Sequence, residues 1–421
     1  MPPNADAASA AFPGLGIVDL DRVILALADA LDFIGVDEIG HGHRVALMAA
    51  LCADEMEWPP ERIHLLLQAG LLHDCGVSST REHRHLVNDI LWEGEHAHCE
   101  RGCLYLQSVP LLSHLAPIVL EHHTPWAHLR HRGVAPGLAL DANLIFLVDR
   151  ADAVRARGVA EGRPVIDVLR RYEGSHFAPE LMAVFHDIAQ REAFWFYQEE
   201  PSLRERLRER LCQGPPVVLN IADMRALATM FGRVIDAKSP YTERHSVGVA
   251  AVAMRLGRGF GLSRQTLDMM EISALLHDIG KLRIPDELLD KQGPLSADER
   301  RRMARHAFDT YEVLRRAFGD GPMAQWAAFH HEYVSGQGYP FHLENGSLPL
   351  EARIIAVADV LQALAQRRPY RQPLTPPEIV AILDGMVFGG KLDATVVEAA
   401  KADLDGCWKD AIAEEGEDAA S

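Results

Sequence analysis

Apolar residues along this chain recur three and four positions apart, as at Ile272, Leu275, Leu276 and Ile279, and again at Ile354, Val357, Ala358 and Leu361. That spacing places them on one stripe of a helix. Runs that alternate strictly between apolar and polar, the mark of a half-buried strand, are scarce. The pattern predicts an all-α protein. The charged segment from Ser202 to Arg210 reads as a helix that Gly214, Pro215 and Pro216 stop, so a domain boundary is expected near residue 214. Residues 1–15, rich in Ala and Pro, and residues 409–421, small and acidic, read as mobile tails. The expected division is a first unit with its linker helix over 16–213 and a second unit over 214–408.

The polar positions interrupting the apolar stripes repeat. A His-Asp doublet at His73/Asp74 returns at His277/Asp278, and a His stands 32 residues before each, at His41 and His245. A later His in each half, His98 and His306, is followed 24 residues on by a His-His pair, His122/His123 and His330/His331. An Asp inside an apolar helical run closes each set: Asp149, 26 residues after His123, and Asp359, 28 residues after His331. Self-similarity of this kind means a duplicated structural unit. The chain therefore reads as a tandem of two all-helical units with the same order of ligand-type side chains.

Composition narrows what those side chains serve. A chain of 421 residues with 48% hydrophobic and 24% charged residues has material for two or three cores. Its formal net charge of -18 argues against a long nucleic acid as partner, since phosphate-backbone binding draws on a surplus of Lys and Arg. A small anionic ligand would need local cations, from side chains or metal. The first basic residue is Arg22 and no long uncharged apolar run occurs, so neither a secretory signal nor a membrane span is expected, and a cytoplasmic location follows. The six Cys include no C-x-x-C pair and are expected to be reduced and mostly buried.

The 21 His are the unusual part of the composition. Neutral imidazoles and carboxylates suit iron, manganese and related divalent ions, and a carboxylate has two oxygens with which to bridge a pair of them. In the second unit His245, His277, Asp278 and Asp359 can surround one ion, with Asp278 bridging to a second ion held by His306, His330 and His331. Seven polar side chains buried near one another are costly unless something compensates them. A two-metal centre lowers the pKa of a shared water and clamps the oxygens of a phosphoryl group, so phosphate-ester hydrolysis fits.

At HDIGKLRIPDELLDKQGPLSADE (277–299) and HHEYVSGQGYP (330–340) the sequence resembles the HD-GYP family, a branch of the HD phosphohydrolases. The likeness runs from about Ile221 to about Ala400, through AKSPYTERHS (237–246), RIIAVADVLQAL (353–364) and RRPYRQPL (367–374). It implies tandem HD-type helical domains and an enzyme opening cyclic di-GMP, or a related cyclic dinucleotide such as cyclic GMP-AMP, to a linear dinucleotide or mononucleotides. It also implies that His245, His277, Asp278, His306, His330, His331 and Asp359 hold two divalent ions, iron or manganese. Asp278 and Lys281 would carry the catalysis, Lys281 by stabilising charge on the scissile phosphate. Arg368 and Arg371 match positions near the substrate phosphates, where a guanidinium grips two oxygens. Gly336, Gly338, Tyr339 and Pro340 form the loop that names the family, with Gly338 and Tyr339 beside the substrate. Tyr241 stands where members with a third metal carry Glu, so two ions are expected. Gln362 and Ser335 replace acidic residues common in the family.

The first unit keeps the order His41, His73, Asp74, His98, His122, His123 and Asp149, yet Val77 stands where Lys281 would be, and no GYP follows its His pair. It resembles the wider HD superfamily and reads as a metal-binding partner domain that senses a ligand, supports dimerisation or catalyses a hydrolysis of its own. A homodimer or a signalling partner protein is compatible with this. Two rival readings of the whole chain stand beside the first: an HD phosphohydrolase acting on another nucleotide, and a non-catalytic cyclic-dinucleotide receptor. Retention of Lys281 counts against the receptor.

Overall fold

The computed structural model describes residues 18–35, 40–89, 91–92, 94–238, 244–343, 345–366 and 372–412. Among these no strand forms beyond two isolated bridges, and the fold is all-α as the periodicity predicts. No described helix is long and apolar enough to cross a membrane. The chain divides into two compact units, Asp19–Val218 and the described residues from Leu219 onward.

Each unit is built on the same plan. In the second, the helices Ile221–Ala237, His245–Gly259 and Arg264–Leu275 lead to the His277-Asp278 turn. The helices Ala297–Phe318, Pro322–Ala328 and Leu350–Ala365 follow, and Pro376–Phe388, Ala394–Ala402 and Leu404–Ile412 close the unit. In the first, Leu20–Leu31, His41–Glu55 and Pro60–Leu72 lead to His73-Asp74, followed by Thr80–Asn88, His96–Gln107, Ala116–Glu121, Trp126–His131 and Pro136–Ala156. The breaks between helices are set by local chemistry. Asn220 caps Ile221–Ala237 in a reciprocal box with Asp223, and Ser296 caps Ala297–Phe318 in the same way with Glu299. Ser263 accepts from Thr266 N at 3.1 Å to start Arg264–Leu275.

The helices that carry the closing Asp are buried nearly all round. Pro136–Ala156 is buried at every position from Asp141 to Val154, and Leu350–Ala365 buries Ile354 through Ala358. A helix without a polar face belongs in the centre of its unit. The glycine two residues after the Asp of each His-Asp doublet sets the close approach to the next ligand helix. A Cβ on Gly280 would lie 2.0 Å from the His306 carbonyl oxygen, and one on Gly76 would lie 2.0 Å from that of His98. Any side chain there would push the doublet away from its partner histidine.

The segment predicted as a linker helix spans Ser202–Leu211 and packs on the first unit. Leu203, Leu207 and Leu211 are buried, and Arg204 donates to Asp29 at 2.6 Å. The acidic stretch expected to be a tail from Lys409 begins inside a helix. Arg255 holds Asp410 at 2.6 Å and Gln362 donates to the Ala411 carbonyl at 3.3 Å, so order continues to Ile412. All six cysteines are free and five are buried.

Candidate metal centre

In the second unit four helices and two tight turns bring the seven predicted side chains to one point. His245 opens its helix, and His277 and Asp278 follow Arg264–Leu275 after its cap residue Leu276. His306 sits in the middle of Ala297–Phe318, His330 and His331 lie in the 3-10 turn after Pro322–Ala328, and Asp359 comes from the central helix. The two oxygens of Asp278 face different groups. Oδ2 lies 3.5 Å from His245 Nε2 and 3.2 Å from His277 Nε2, while Oδ1 lies 3.5 Å from His306 Nε2 and 3.6 Å from His330 Nε2. Asp359 Oδ1 lies 3.3 Å from His245 Nε2. The donors of His245, His277 and Asp359 cluster within 4.8 Å of one another, and so do those of His306, His330 and His331.

These atoms converge without bonding one another. Nε2 of His245, His277, His306 and His330 and Oδ1 of Asp278 are buried and have no hydrogen-bond partner. Leaving even one such group unpaired costs about 1–3 kcal/mol. The opposite ring nitrogens are fully used: Nδ1 of His277, His306 and His330 donates to the carbonyls of Ala274, Met303 and Ala327 at 2.7, 2.6 and 2.6 Å. His245 Nδ1 donates to Gln362 Oε1 at 2.7 Å. Each of these four rings is thereby turned so that its Nε2 lone pair points inward, as metal-ligating imidazoles are oriented. The donor set fits divalent ions, and a cation is what these unpartnered acceptors call for.

Electrostatics agree with that assignment. Burial pushes His306 down to about 4 and His331 to about 3, so both are neutral donors at physiological pH. Burial opposes ionisation of Asp278 too, but the charges of His277 and Lys281 hold its carboxyl well below the ordinary range. At His245, burial is outweighed by the Asp278 and Asp359 carboxylates, which raise it to about 10. Those carboxylates already attract positive charge to this side of the site.

Lys281 lies in the 3-10 turn Ile279–Arg283 and donates to Asp278 Oδ2. Thr310 ties the turn down by donating to the His277 carbonyl at 3.0 Å and accepting from Gly280 N at 3.1 Å. In the loop after His331, Gly336 adopts φ 75°, a left-handed conformation that favours glycine. A Cβ on Gly338 would lie 2.3 Å from Tyr333 N. Tyr339 places its ring 4.9 Å from that of His331, and burial pushes its hydroxyl far above the usual range. Arg368, Arg371 and Tyr241 lie outside the described residues.

The supporting roles of two residues escaped the sequence reading, which marked Gln362 only as the replacement of an acidic residue. Gln362 is the acceptor that orients His245. One signal did mark it: it stands three residues after Asp359, as Asp152 stands three after Asp149, and Asp152 accepts from His41 Nδ1 at 2.8 Å. Glu332, 1% exposed, accepts from Phe341 N at 2.6 Å and Leu343 N at 2.9 Å and so pins the far end of the loop. Its backbone partners are set by the loop's path, which no spacing reveals.

The first unit assembles the matching seven. His41 Nε2 lies 3.2 Å from Asp149 Oδ1, His73 Nε2 lies 3.4 Å from Asp74 Oδ2, and His98 Nε2 lies 3.4 Å from Asp74 Oδ1. His73 and His122 donate through Nδ1 to the Gly70 and Val119 carbonyls at 2.8 and 2.6 Å. The surroundings differ. Val77, 2% exposed, fills the place corresponding to Lys281, and Arg150 follows Asp149 where Val360 follows Asp359.

Two helical units, each bringing a His-Asp doublet against further histidines and a central-helix Asp, define a tandem HD-domain metalloprotein. Residues 39–157 and 229–396 each match an HD domain family. The 3'3'-cGAMP-specific phosphodiesterase 1 of Vibrio cholerae is 35% identical over 392 residues, covering 90% of this chain and 91% of that protein. The cyclic di-GMP phosphodiesterase response regulator RpfG of Xanthomonas campestris is 35% identical over 195 residues, covering 44% of this chain and 50% of its own. The solved structure of V-cGAP3, a cyclic GMP-AMP specific phosphodiesterase of Vibrio cholerae, superposes with a TM-score of 0.65 at 22% identity. It covers 93% of this chain and 98% of that one. The chain belongs to the HD-GYP family of cyclic dinucleotide phosphodiesterases, and like HD phosphohydrolases generally it is metal-dependent.

Proposed function

We propose that the second unit hydrolyses 3'3'-cyclic GMP-AMP in preference to cyclic di-GMP, opening one phosphodiester to give a linear dinucleotide. The observation that carries the preference is the reach of the likeness. A relative with that specificity matches across both units, whereas the cyclic di-GMP relative RpfG matches less than half of the chain. In this reading His245, His277, Asp278 and Asp359 would hold one divalent ion, and Asp278 with His306, His330 and His331 would hold another. Imidazole and carboxylate donors suit iron or manganese. When bound, such a pair supplies an activated water and neutralises charge on the phosphoryl oxygens.

The chain's own residues supply the rest. Lys281, held beside Asp278, carries the ammonium that offsets charge developing on the phosphoryl oxygens in the transition state. Thr310 and Gly280 keep that turn at a fixed distance from His306. Tyr339 walls His331 and, with Gly338, shapes the substrate side of the site. Arg368 and Arg371 are proposed to grip the second phosphate.

The test is anaerobic incubation of manganese- or iron-loaded protein with each cyclic dinucleotide and chromatography of the products. Linear product from both, with cyclic GMP-AMP consumed faster, supports the reading. Faster turnover of cyclic di-GMP reverses the preference, and binding without turnover under both metals replaces the enzyme with the receptor.

A further inference from the structure

The first unit keeps seven ligand-type side chains, but the two halves of its cluster have changed unequally. On one side stand His41, His73 and Asp149. There Arg150, itself 2% exposed, lays its guanidinium on Asp149: Nη2 lies 2.9 Å from Oδ2 and 3.2 Å from Oδ1, and Nε lies 3.1 Å from Oδ2. Arg150 Nη1 also donates to the Asp89 carbonyl at 3.1 Å, which fixes the group in place. A full positive charge thus already rests on the carboxylate that would serve as terminal donor, and a divalent ion beside it would be repelled in a poorly solvated setting. The space on this side is a cavity of about 20 Å³, closed by Val77, Leu31 and Ile34.

On the other side none of His98, His122, His123 and Asp74 is bonded to a guanidinium; the Arg150 charge reaches only His123, whose Nε2 lies 3.6 Å from Asp149 Oδ2, and it helps to keep that ring neutral. His98, His122 and His123 offer ligand atoms within 4.8 Å of one another. His98 Nε2 lies 3.2 Å from His122 Nε2 and 3.4 Å from Asp74 Oδ1, and His122 Nε2 lies 4.0 Å from that oxygen. Donors bonded to one ion at about 2.0–2.2 Å sit about 3–4 Å apart. A cleft of about 400 Å³, lined by Trp92, Glu95 and His123, opens onto this side.

We propose that the first unit binds one divalent transition-metal ion, at His98, His122, His123 and Asp74 Oδ1, and that Arg150 stands in for the second cation. Three imidazoles and one carboxylate select zinc, iron or cobalt over magnesium. The proposal concerns binding and is independent of turnover in the second unit.

The experiment uses the full chain with His277, Asp278 and His330 all changed to Ala, which leaves only His245 with Asp359 on one side of the second unit's cluster and His306 with His331 on the other, too few donors on either side to hold an ion through dialysis. The protein is loaded with zinc, dialysed and subjected to elemental analysis, with circular dichroism reporting the fold. One ion per chain is expected, retained in Asp149→Asn and lost in His122→Ala. His98→Asn provides a second route to the same loss if His122→Ala lowers helical content. Arg150→Gln, which removes the charge but keeps a hydrogen-bonding side chain, is expected to raise the count to two. No ion or two ions in the starting protein, loss in Asp149→Asn with retention in His122→Ala and His98→Asn, or an unchanged count in Arg150→Gln would overturn the proposal.

Discussion

At Gln362 a single carboxamide decides how well His245 can serve. It accepts the Nδ1 proton at 2.7 Å and, through its NH2, reaches the Ala411 carbonyl at 3.3 Å, so its own orientation is fixed. Removing such an outer partner commonly costs about 10- to 100-fold in metal affinity or activity. Gln362→Ala is therefore expected to weaken manganese binding by about that factor in a chelator competition, while Gln362→Glu, which supplies an acceptor as Asp152 does for His41, stays within a few fold of wild type. Lys281 acts on charge rather than on ligation. Lys281→Met is expected to lower kcat by about 100- to 1,000-fold with metal content unchanged, as loss of one transition-state charge stabiliser does. The buried histidines also set a pH response. Burial holds His98 at about 3, His122 at about 4, His306 at about 4 and His331 at about 3. An unfolded chain binds protons at these positions below about 6.5, whereas the folded metal-free chain does not, so stability falls as pH drops from about 6.5 towards 4. Each contributes up to about 1.4 kcal/mol per pH unit. Glu95, which burial raises to about 7, and Asp236, raised to about 6, oppose this over part of the window but are outnumbered. Melting of the metal-free protein should move to lower temperature between pH 6.5 and 4.5, and a constant or rising midpoint would contradict the burial of these rings as neutral donors.

Among the elements, the turn after each doublet is the most constrained piece. The Cβ absent from Gly280 would meet the His306 carbonyl at 2.0 Å, and backbone cannot yield as a flexible side chain can. Gly280→Ala is expected to destabilise the second unit by about 1–3 kcal/mol or more and to abolish turnover, because the doublet and His306 would part. Differential scanning calorimetry together with an activity assay checks both effects. The helices and the repeated ligand order were legible in the sequence, because helical periodicity and His-Asp spacing are properties of the chain itself. The outer partners were not: Gln362 and His245 stand 117 residues apart, and only the crossing of two helices makes them neighbours. Arg150 was equally hidden. Adjacent to Asp149 in sequence, it looks like a surface charge until the central helix is seen to be buried on every side.

The whole molecule uses one architecture twice with different outcomes. Both units gather two carboxylates and five histidines, but only the second adds Lys281 and the loop around Gly338 and Tyr339. With a formal net charge of -18, attraction of an anionic dinucleotide falls to the local cations of the site. The central claim is that Asp278, with its oxygens divided between two histidine groups, organises the hydrolytic centre. The measurement that tests it most directly compares wild type with Asp278→Asn, an isosteric change, for metal content, helical content and production of linear dinucleotide from 3'3'-cyclic GMP-AMP. An intact fold, a reduced metal content and loss of turnover by roughly 1,000-fold or more are expected, the scale of removing a group on which catalysis depends. Turnover near the wild-type rate in Asp278→Asn would contradict that claim.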